Sequence, residues 1–444
     1  MNPVSCLLGF SLLASASFAG TITVGPMGSG ANFNSLSPAV ASAVAGDTIL
    51  ISPGSYPEAN VMVIDKPLTI IGSGSAVTEL VLPGYTIWSP LTIEQSAPGE
   101  MTQLSGLSIS LIGSGYPDAP SISIEDCLGP VHLQDIVGVP SSGPGRGVSL
   151  RAEASAMVLL ESCDFFGSSN EGNCGTPAPN GVPAMEAVTS TLFLSRCTLS
   201  AGPVLDKCFV QPGFAALHLE NATVHVGDSW LQGSLGKANL SGWTLGHPAV
   251  ELTGISALSL FGATSLEGGG GGLVPAPFGD SYGGAAIELL PDQTITATPE
   301  VTFTAGKDWD GATTANPIND YGGTLTMASE RWATLASGTQ PVALGGSVTL
   351  TMGGEPGSLV MPYLAFGLGN APLSVPGVDG VILIELIGAK ALPIRTLDAM
   401  GADSMSFPVP PIPALVGASY PVQSLALHPG GAFSLSSMAT ITLL

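Results

Sequence analysis

Few side chains in this chain are placed to do chemistry. Lys307-Asp308-Trp309-Asp310-Gly311, followed by Asn316 and Asp320, forms an oxygen-rich loop. Hard cations such as Ca²⁺ prefer several carboxylate and carbonyl oxygens, so Asp308, Asp310 and Asp320 are candidate ligands, without the terminal bidentate glutamate of an EF-hand. No other cofactor is implied. Gly279-Asp280-Ser281-Tyr282-Gly283 matches the G-x-S-x-G nucleophile pattern. That serine requires a strand-to-helix elbow; here it follows the Gly/Pro loop 268–278 and precedes the strand-like AAIELL, which makes it a tight turn. Trp243, in LSGWTLG, is the candidate for stacking on a sugar ring, whereas Trp230 opens a strand and is expected to pack inside.

The cysteines carry a second signal. Cys163 to Cys174 and Cys197 to Cys208 are equally spaced, so two successive structural units hold cysteines at equivalent places. In an exported protein Cys174 and Cys208 are expected to form a disulfide, while Cys163 and Cys197 either pair likewise or stack as buried thiols. Export is expected from residues 1–19, an apolar run followed by small residues ending at Ala19, which fit a cleaved secretory signal. The run is too short to span a bilayer, and Leu359 to Val378 is broken by Pro362, Pro372 and Pro376, so no transmembrane segment is expected after signal removal. With 33 acidic against 10 basic residues, a net charge of −23 argues against nucleic acid and anionic membranes and leaves cations, neutral glycans and basic surfaces.

The elements that would position these groups are short strands. Ser37 to Gly74 begins with a helix that Ser37 is expected to cap and Gly46 to end, with Leu36, Val40, Ala43 and Val44 on one face. Strand-like segments follow too closely for βαβ units. From Ser121 each repeat has a first strand, a second, a short third and a variable Gly-rich loop. Alternation in the second strands puts Val131, Val158, Leu192, Val224 and Leu258 in one inward column, and Leu133, Leu160, Leu194, Val226 and Leu260 in the next. A third column is expected to read Ile136, Cys163, Cys197, Ser229 and Ala263. His132 and His225 fall in an outward column three coils apart, on the order of 14 Å at about 4.8 Å per coil, too far for a dyad or shared metal. They are expected to be solvated.

The fold class is therefore all-β: a parallel β-helix with three short strands per coil and an N-terminal capping helix, with a Greek-key sandwich as the alternative. The expected divisions are a signal at 1–19, the β-helix at 20–306, a connection at 307–338 and a small C-terminal β-sandwich at 339–444. AGDTILISPGSY…KPLTIIGSG, within residues 45–74, resembles the opening of secreted right-handed β-helix proteins related to pectate lyases and pectin methylesterases. GEPGS, whose Glu355–Ser358 follow Gly354, and PIPALVGASYPVQSLAL from Pro411 are similar to a β-domain that ends many large exported bacterial proteins. The first resemblance implies a right-handed scaffold shared by lyases, hydrolases, esterases and non-catalytic proteins, so it does not select a reaction. Lyases of that scaffold combine acidic Ca²⁺ ligands with a basic residue. Here Arg146, Arg151, Arg196, Lys207 and Lys237 are the basic residues of the repeat, and Arg196 stands one coil from Asp228 and from the Glu161/Ser162 region, so a ladder ion pair is its simpler role. The esterase variant needs two apposed aspartates and an arginine; Asp135, Asp228 and Arg196 share a column, with Asp135 two coils away from Arg196.

Three functions remain open on the sequence. One is a secreted or cell-surface protein, not catalytic, that binds a glycan or another surface component. The second is a polysaccharide lyase or esterase, which should gather two carboxylates and a basic residue on adjacent coils. The third is a structural surface-layer component.

Overall fold

The computed structural model describes residues 20–84, 89–94, 96–112, 119–139, 148–167, 183–202, 214–236, 246–271, 282–308, 315–338 and 340–444. Short strands stack in parallel into a β-solenoid with three faces. The first face is a nine-stranded sheet running from Met62–Ile64 through Met185–Val188 to Ile318–Asp320. The second and third faces form one eighteen-stranded sheet, because Thr102–Ile112 and Val131–Val139 continue around the corner between them.

The register reproduces the inward columns. Val131 pairs with Val158, then Leu192, Val224 and Leu258 follow in turn, and all five are buried. Leu133, Leu160, Leu194, Val226 and Leu260 are buried one step along. The third column departs at its end. Ala263 is exposed, and Thr264 takes the inward place, donating toward Phe261 O while its Oγ1 accepts from Ser229 N. One extra residue, absorbed at Gly262 with φ of 63°, causes the shift. Such corners recur. Asp135, Ser162, Arg196 and Asp228 all hold φ near 50°, the left-handed conformation that turns the chain from second to third strand. Cys163 and Cys197 stand in this interior as buried free thiols, and Cys127 is a third; Cys174 and Cys208 lie outside the described residues.

The cap differs in detail from its expectation. The helix is Leu36–Ser42, and Ser35 at its N-cap makes no side-chain cap bond. Glu58 serves instead: its carboxylate accepts from the Leu36 and Ser37 N–H groups at 2.5 and 3.2 Å and from Ser37 Oγ at 2.6 Å. A carboxylate brought by the next coil satisfies N–H groups that a local serine leaves open. Leu36, Ala39, Val40 and Ala43 are buried, whereas Val44 faces solvent.

At the other end the ladder runs on past Gly306. Ile318–Asp320 pairs with Ile287–Leu289, and Thr324–Met327 with Thr294–Ala297, so much of the expected connection is a last coil. Thr334–Ser337 already belongs to the C-terminal region, antiparallel to Ser347–Gly353. That region has a three-stranded sheet, a six-stranded sheet centred on Phe433–Thr442 and Ser419–Leu427, and the pair Leu368–Ser374 with Val381–Ile384. Its own core gathers Leu335, Val348, Leu350, Met352, Val360 and Val422 among others.

This region folds back onto the second face of the solenoid. Met157, Leu159 and Phe193, all outward, form one cluster with Leu383 and Met438. The expectation of solvated histidines therefore fails. His132 is only 1% exposed. His225 stacks flat on Phe193 with ring centroids 4.8 Å apart, and burial pushes its imidazole down to about 4, keeping it neutral. A covering domain removes water from outward positions that alternation alone assigns to solvent.

Polar groups at the joint converge on Glu161, 2% exposed. Its Oε1 receives Arg196 Nη2 at 2.6 Å, Thr440 N at 3.0 Å and Ser337 Oγ at 3.3 Å, while His132 Nε2 stands 3.5 Å from Oε2. Arg196 also donates to Ser162 Oγ and, across the joint, to Leu335 O. Burial pushes the Glu161 carboxyl up, but the His132 contact, the Arg196 charge and the Thr440 N–H outweigh it and leave the group below the usual carboxylate range. Its contribution is thus full above the unfolded value and is lost as pH falls through the folded one.

Glu161→Ala strands the Arg196 guanidinium and the Thr440 N–H. Because Arg196 keeps 21% of its side chain in water, the expected cost is about 3 kcal/mol, the low end for breaking a buried pair. Calorimetry should show the single melting transition of the parent split in two. A variant that melts as one unit at the parental temperature contradicts this role.

Candidate functional site

With the second face covered, the first and third faces remain. On the first face two positions per coil project outward, and the register aligns Thr92, Ser123, Arg151, Glu186, His218, Glu251 and Glu288 at the first of them. A parallel column holds Glu94, Glu125, Glu153, Val188 and Glu220. Inward neighbours such as Leu150, Ala152, Met185, Leu219 and Leu252 fill the core and fix the backbone beneath.

The row pairs acids with bases. Arg151 Nη2 lies 2.9 Å from Glu153 Oε2, and its Nε 4.0 Å from Glu186 Oε2. His218 Nδ1 lies 3.4 Å from Glu251 Oε2. These pairs are partly exposed, so they organise the surface more than they stabilise it. Burial pushes Glu186 up, with Arg151 opposing, while the His218 contact pulls Glu251 down against its burial. His218 rises because Glu251 accepts from it. Glu288 rises through burial and the neighbouring Glu251 charge. Two carboxylates on one face are thus displaced in opposite directions.

The third face presents Asp164, Thr198, Trp230, Ser265 and Thr302 in one outward column, and Phe166, Ser200, Gln232, Glu267 and Thr304 in the next. Trp230 is 37% exposed, so the expectation that it packs inside is corrected. It pairs with outward Thr198, which carries the ring to the surface, and Leu231 takes the inward place. An aromatic among hydroxyls and an amide is a surface on which a sugar ring can stack and bond.

Trp243, Asp310, Ser281, Arg146, Lys207 and Lys237 lie outside the described residues. Asp308 is buried and accepts from Gly283 N at 2.8 Å, and Asp320 accepts from Gly322 N in its own turn. Among the described residues no group of three His, Cys, Asp or Glu side chains is arranged to hold a metal ion. Asp135 is engaged by Ser75, Asp228 by the Ala263 N–H, and Arg196 by Glu161. The esterase set is therefore spent on turns and on the joint. A cleft of about 480 Å³ beside the joint includes Asp135 and Glu161 in its walls, but both carboxylates are already bonded. The sequence alone marks Arg151 as a basic residue of the repeat and the first strands as repeating units, but assigns no role to Glu186, His218 or Glu251. Their signal was available: each is the second residue of its first strand, in M-E-A-V, L-H-L-E and V-E-L-T.

No protein-family model and no curated protein matches this sequence. Among solved structures the chain is similar to the enzymatically active domain of bacteriophage CBA120 tailspike protein 2, at 10% identity, covering 95% of this chain and 76% of that one with a TM-score of 0.35. It is also similar to full-length tailspike protein 2 from an Escherichia coli O157:H7 bacteriophage, at 10% identity, covering 95% and 68% with a TM-score of 0.25. No site residue is transferred from either. Among the described residues no helix is long and apolar enough to cross a membrane.

If Glu251 holds the His218 proton, the histidine should titrate above its ordinary value near 6.5, and Glu251→Gln should bring it back down. Any stability from this pair is present below the unfolded histidine value and is lost as pH rises through the folded one. Histidine NMR titration of parent and variant checks both. An unchanged His218 titration in Glu251→Gln contradicts the pairing.

Proposed function

We propose that this protein is exported to the cell surface and binds a neutral or amine-bearing glycan along the first and third faces. The observation that carries the reading is the Arg151, Glu186, His218, Glu251 row. It puts hydrogen-bonding charged groups at a regular pitch of about 4.8 Å on a face the C-terminal region leaves free. Exposed Trp230 supports it from the neighbouring face. The charge of −23 and the glutamate columns disfavour a polyuronate, whose carboxylates would meet like charge. The secretory-type leader in residues 1–19 supports export, and the scaffold resemblance to pectin-active proteins agrees with a glycan ligand.

A second reading, hydrolysis of the bound glycan, is favoured by one observation. Glu186 is held protonated more readily than a free carboxyl and Glu251 less readily, as an acid and a base require. They stand two rungs apart, about 9.6 Å by rung spacing, just beyond the roughly 9.5 Å upper end of the separation for an inverting mechanism.

Binding is tested by titration calorimetry against xylan, chitosan and polygalacturonate oligosaccharides. Xylan or chitosan fragments should bind and polygalacturonate should not. Trp230→Ala should weaken binding about tenfold, the worth of roughly 1–1.5 kcal/mol of stacking. Tight polygalacturonate binding, or affinity unchanged in Trp230→Ala, sinks the proposal. Reducing-sugar release by the parent that is lost in Glu186→Gln, with binding retained, selects the second reading.

A further inference from the structure

We infer that a cavity between the second face and the C-terminal region binds the acetamido group of an N-acetylated sugar. The cavity measures about 40 Å³. On the solenoid side two outward columns line it, with Leu159, Phe193 and His225 in the first and Glu161, Ser195 and Phe261 in the second. Gly227 stands between Ser195 and Phe261 in that column, and the Phe261 ring leans over it, 2.4 Å from where a Cβ would lie. The C-terminal region closes the other side with Trp332, whose ring centroid is 5.7 Å from that of Phe261. Of the residues around the cavity only His225, Gly380 and Val381 are not buried, so its mouth lies among them.

Two polar groups in this wall lack a protein partner. Ser195 and Trp332 are 6% and 7% exposed, and among the described residues neither Ser195 Oγ nor Trp332 Nε1 meets a hydrogen-bonding group. The other polar side chains around the cavity are engaged. Gln423 donates to Val381 O and accepts from Leu383 N, Ser436 Oγ accepts from Ser424 N, and Ser437 Oγ donates to Leu335 O. Glu161 is held by Arg196 and Thr440. A buried donor left unmade is costly, so the open valences of Ser195 and Trp332 point to a ligand that supplies them. An apolar pocket with a few convergent polar groups is the usual form of a small-ligand site.

The chemistry of the wall selects the group. An indole N–H only donates, so it calls for an acceptor such as a carbonyl, and Ser195 Oγ is free to accept from an N–H. The aromatic walls suit a methyl. At roughly 10–15 Å³ for each water-sized group, the volume admits about three. A methyl, a carbonyl and an N–H are what an acetamido group brings. A carboxylate of the same size is disfavoured by the Glu161 charge in the wall, and a cation by the burial that keeps His225 neutral. The sugar ring stays outside, at the mouth. This site is separate from the first and third faces, and the inference does not depend on glycan binding there.

Saturation-transfer NMR on the whole chain tests this with acetamide, N-acetylglucosamine and glucosamine. Acetamide and N-acetylglucosamine are expected to bind in the millimolar range and to displace one another, with the acetyl methyl receiving the strongest saturation. Glucosamine should displace neither. Trp332→Phe deletes the indole N–H and keeps an aromatic ring, and it should weaken both ligands about fivefold, the worth of one hydrogen bond. Ser195→Ala should do the same, while Trp230→Ala leaves both affinities unchanged and so separates this site from the third face. If a variant misfolds, the methyl saturation and the displacement pattern in the unmodified protein decide the matter. No saturation of the methyl, displacement by glucosamine, or affinities unchanged in both Trp332→Phe and Ser195→Ala overturns the inference.

Discussion

A carboxylate buried between two folded units has to be satisfied from both of them, and Glu161 sets that requirement here. The solenoid supplies Arg196 and the edge of His132, and the C-terminal sheet supplies the Thr440 N–H and the Ser337 hydroxyl. Neither unit alone completes the set. The apolar cluster of Met157, Leu159, Phe193, Leu383 and Met438 contributes area to the joint. The directional bonds decide where along the solenoid the C-terminal region sits. Gln134 extends the same seam, donating to Thr440 O and accepting from Thr442 Oγ1.

Placement of that region then determines what the rest of the surface can do. The second face loses its water, which is why His225 stays neutral and stacks on Phe193. Among the described residues the C-terminal region leaves Arg151, Glu186, His218 and Glu251 of the first face and Trp230 of the third partly in water. On the first face, partial burial is enough to push Glu186 up while His218 holds Glu251 down. The same parallel ladder that fills the interior with Val131, Val158 and Leu192 repeats its outward positions at one rung per coil. A regular binding surface is a by-product of a regular core.

What was legible in the sequence follows from this physics. Inward columns were readable because burial enforces apolar side chains every second residue, and a one-residue slip would turn them all outward. A ladder ion pair for Arg196 was readable because adjacent coils bring neighbours within reach, but the choice of Glu161 over Asp228 is made by the return of the C-terminal region. The column end at Ala263 was misplaced because an insertion at a corner costs little when Gly262 takes a left-handed conformation. Glu58 as the helix cap lies more than twenty residues from the groups it bonds, beyond any local motif. Outward residues were the least legible. His132 and Trp230 both occupy outward positions, yet one is sealed and the other open, and only the return path of the chain distinguishes their faces.

Oxidative footprinting of methionines tests that return path most directly. Met157 projects from the second face and is fully buried beneath the C-terminal region, while Met27 and Met400 are 88% and 81% exposed and serve as internal standards. After brief peroxide or hydroxyl-radical treatment, mass spectrometry should find Met157 and Met438 protected while Met27 and Met400 are oxidised. Oxidation of Met157 at the rate of Met27 in the intact, folded protein would contradict a C-terminal region seated on the solenoid.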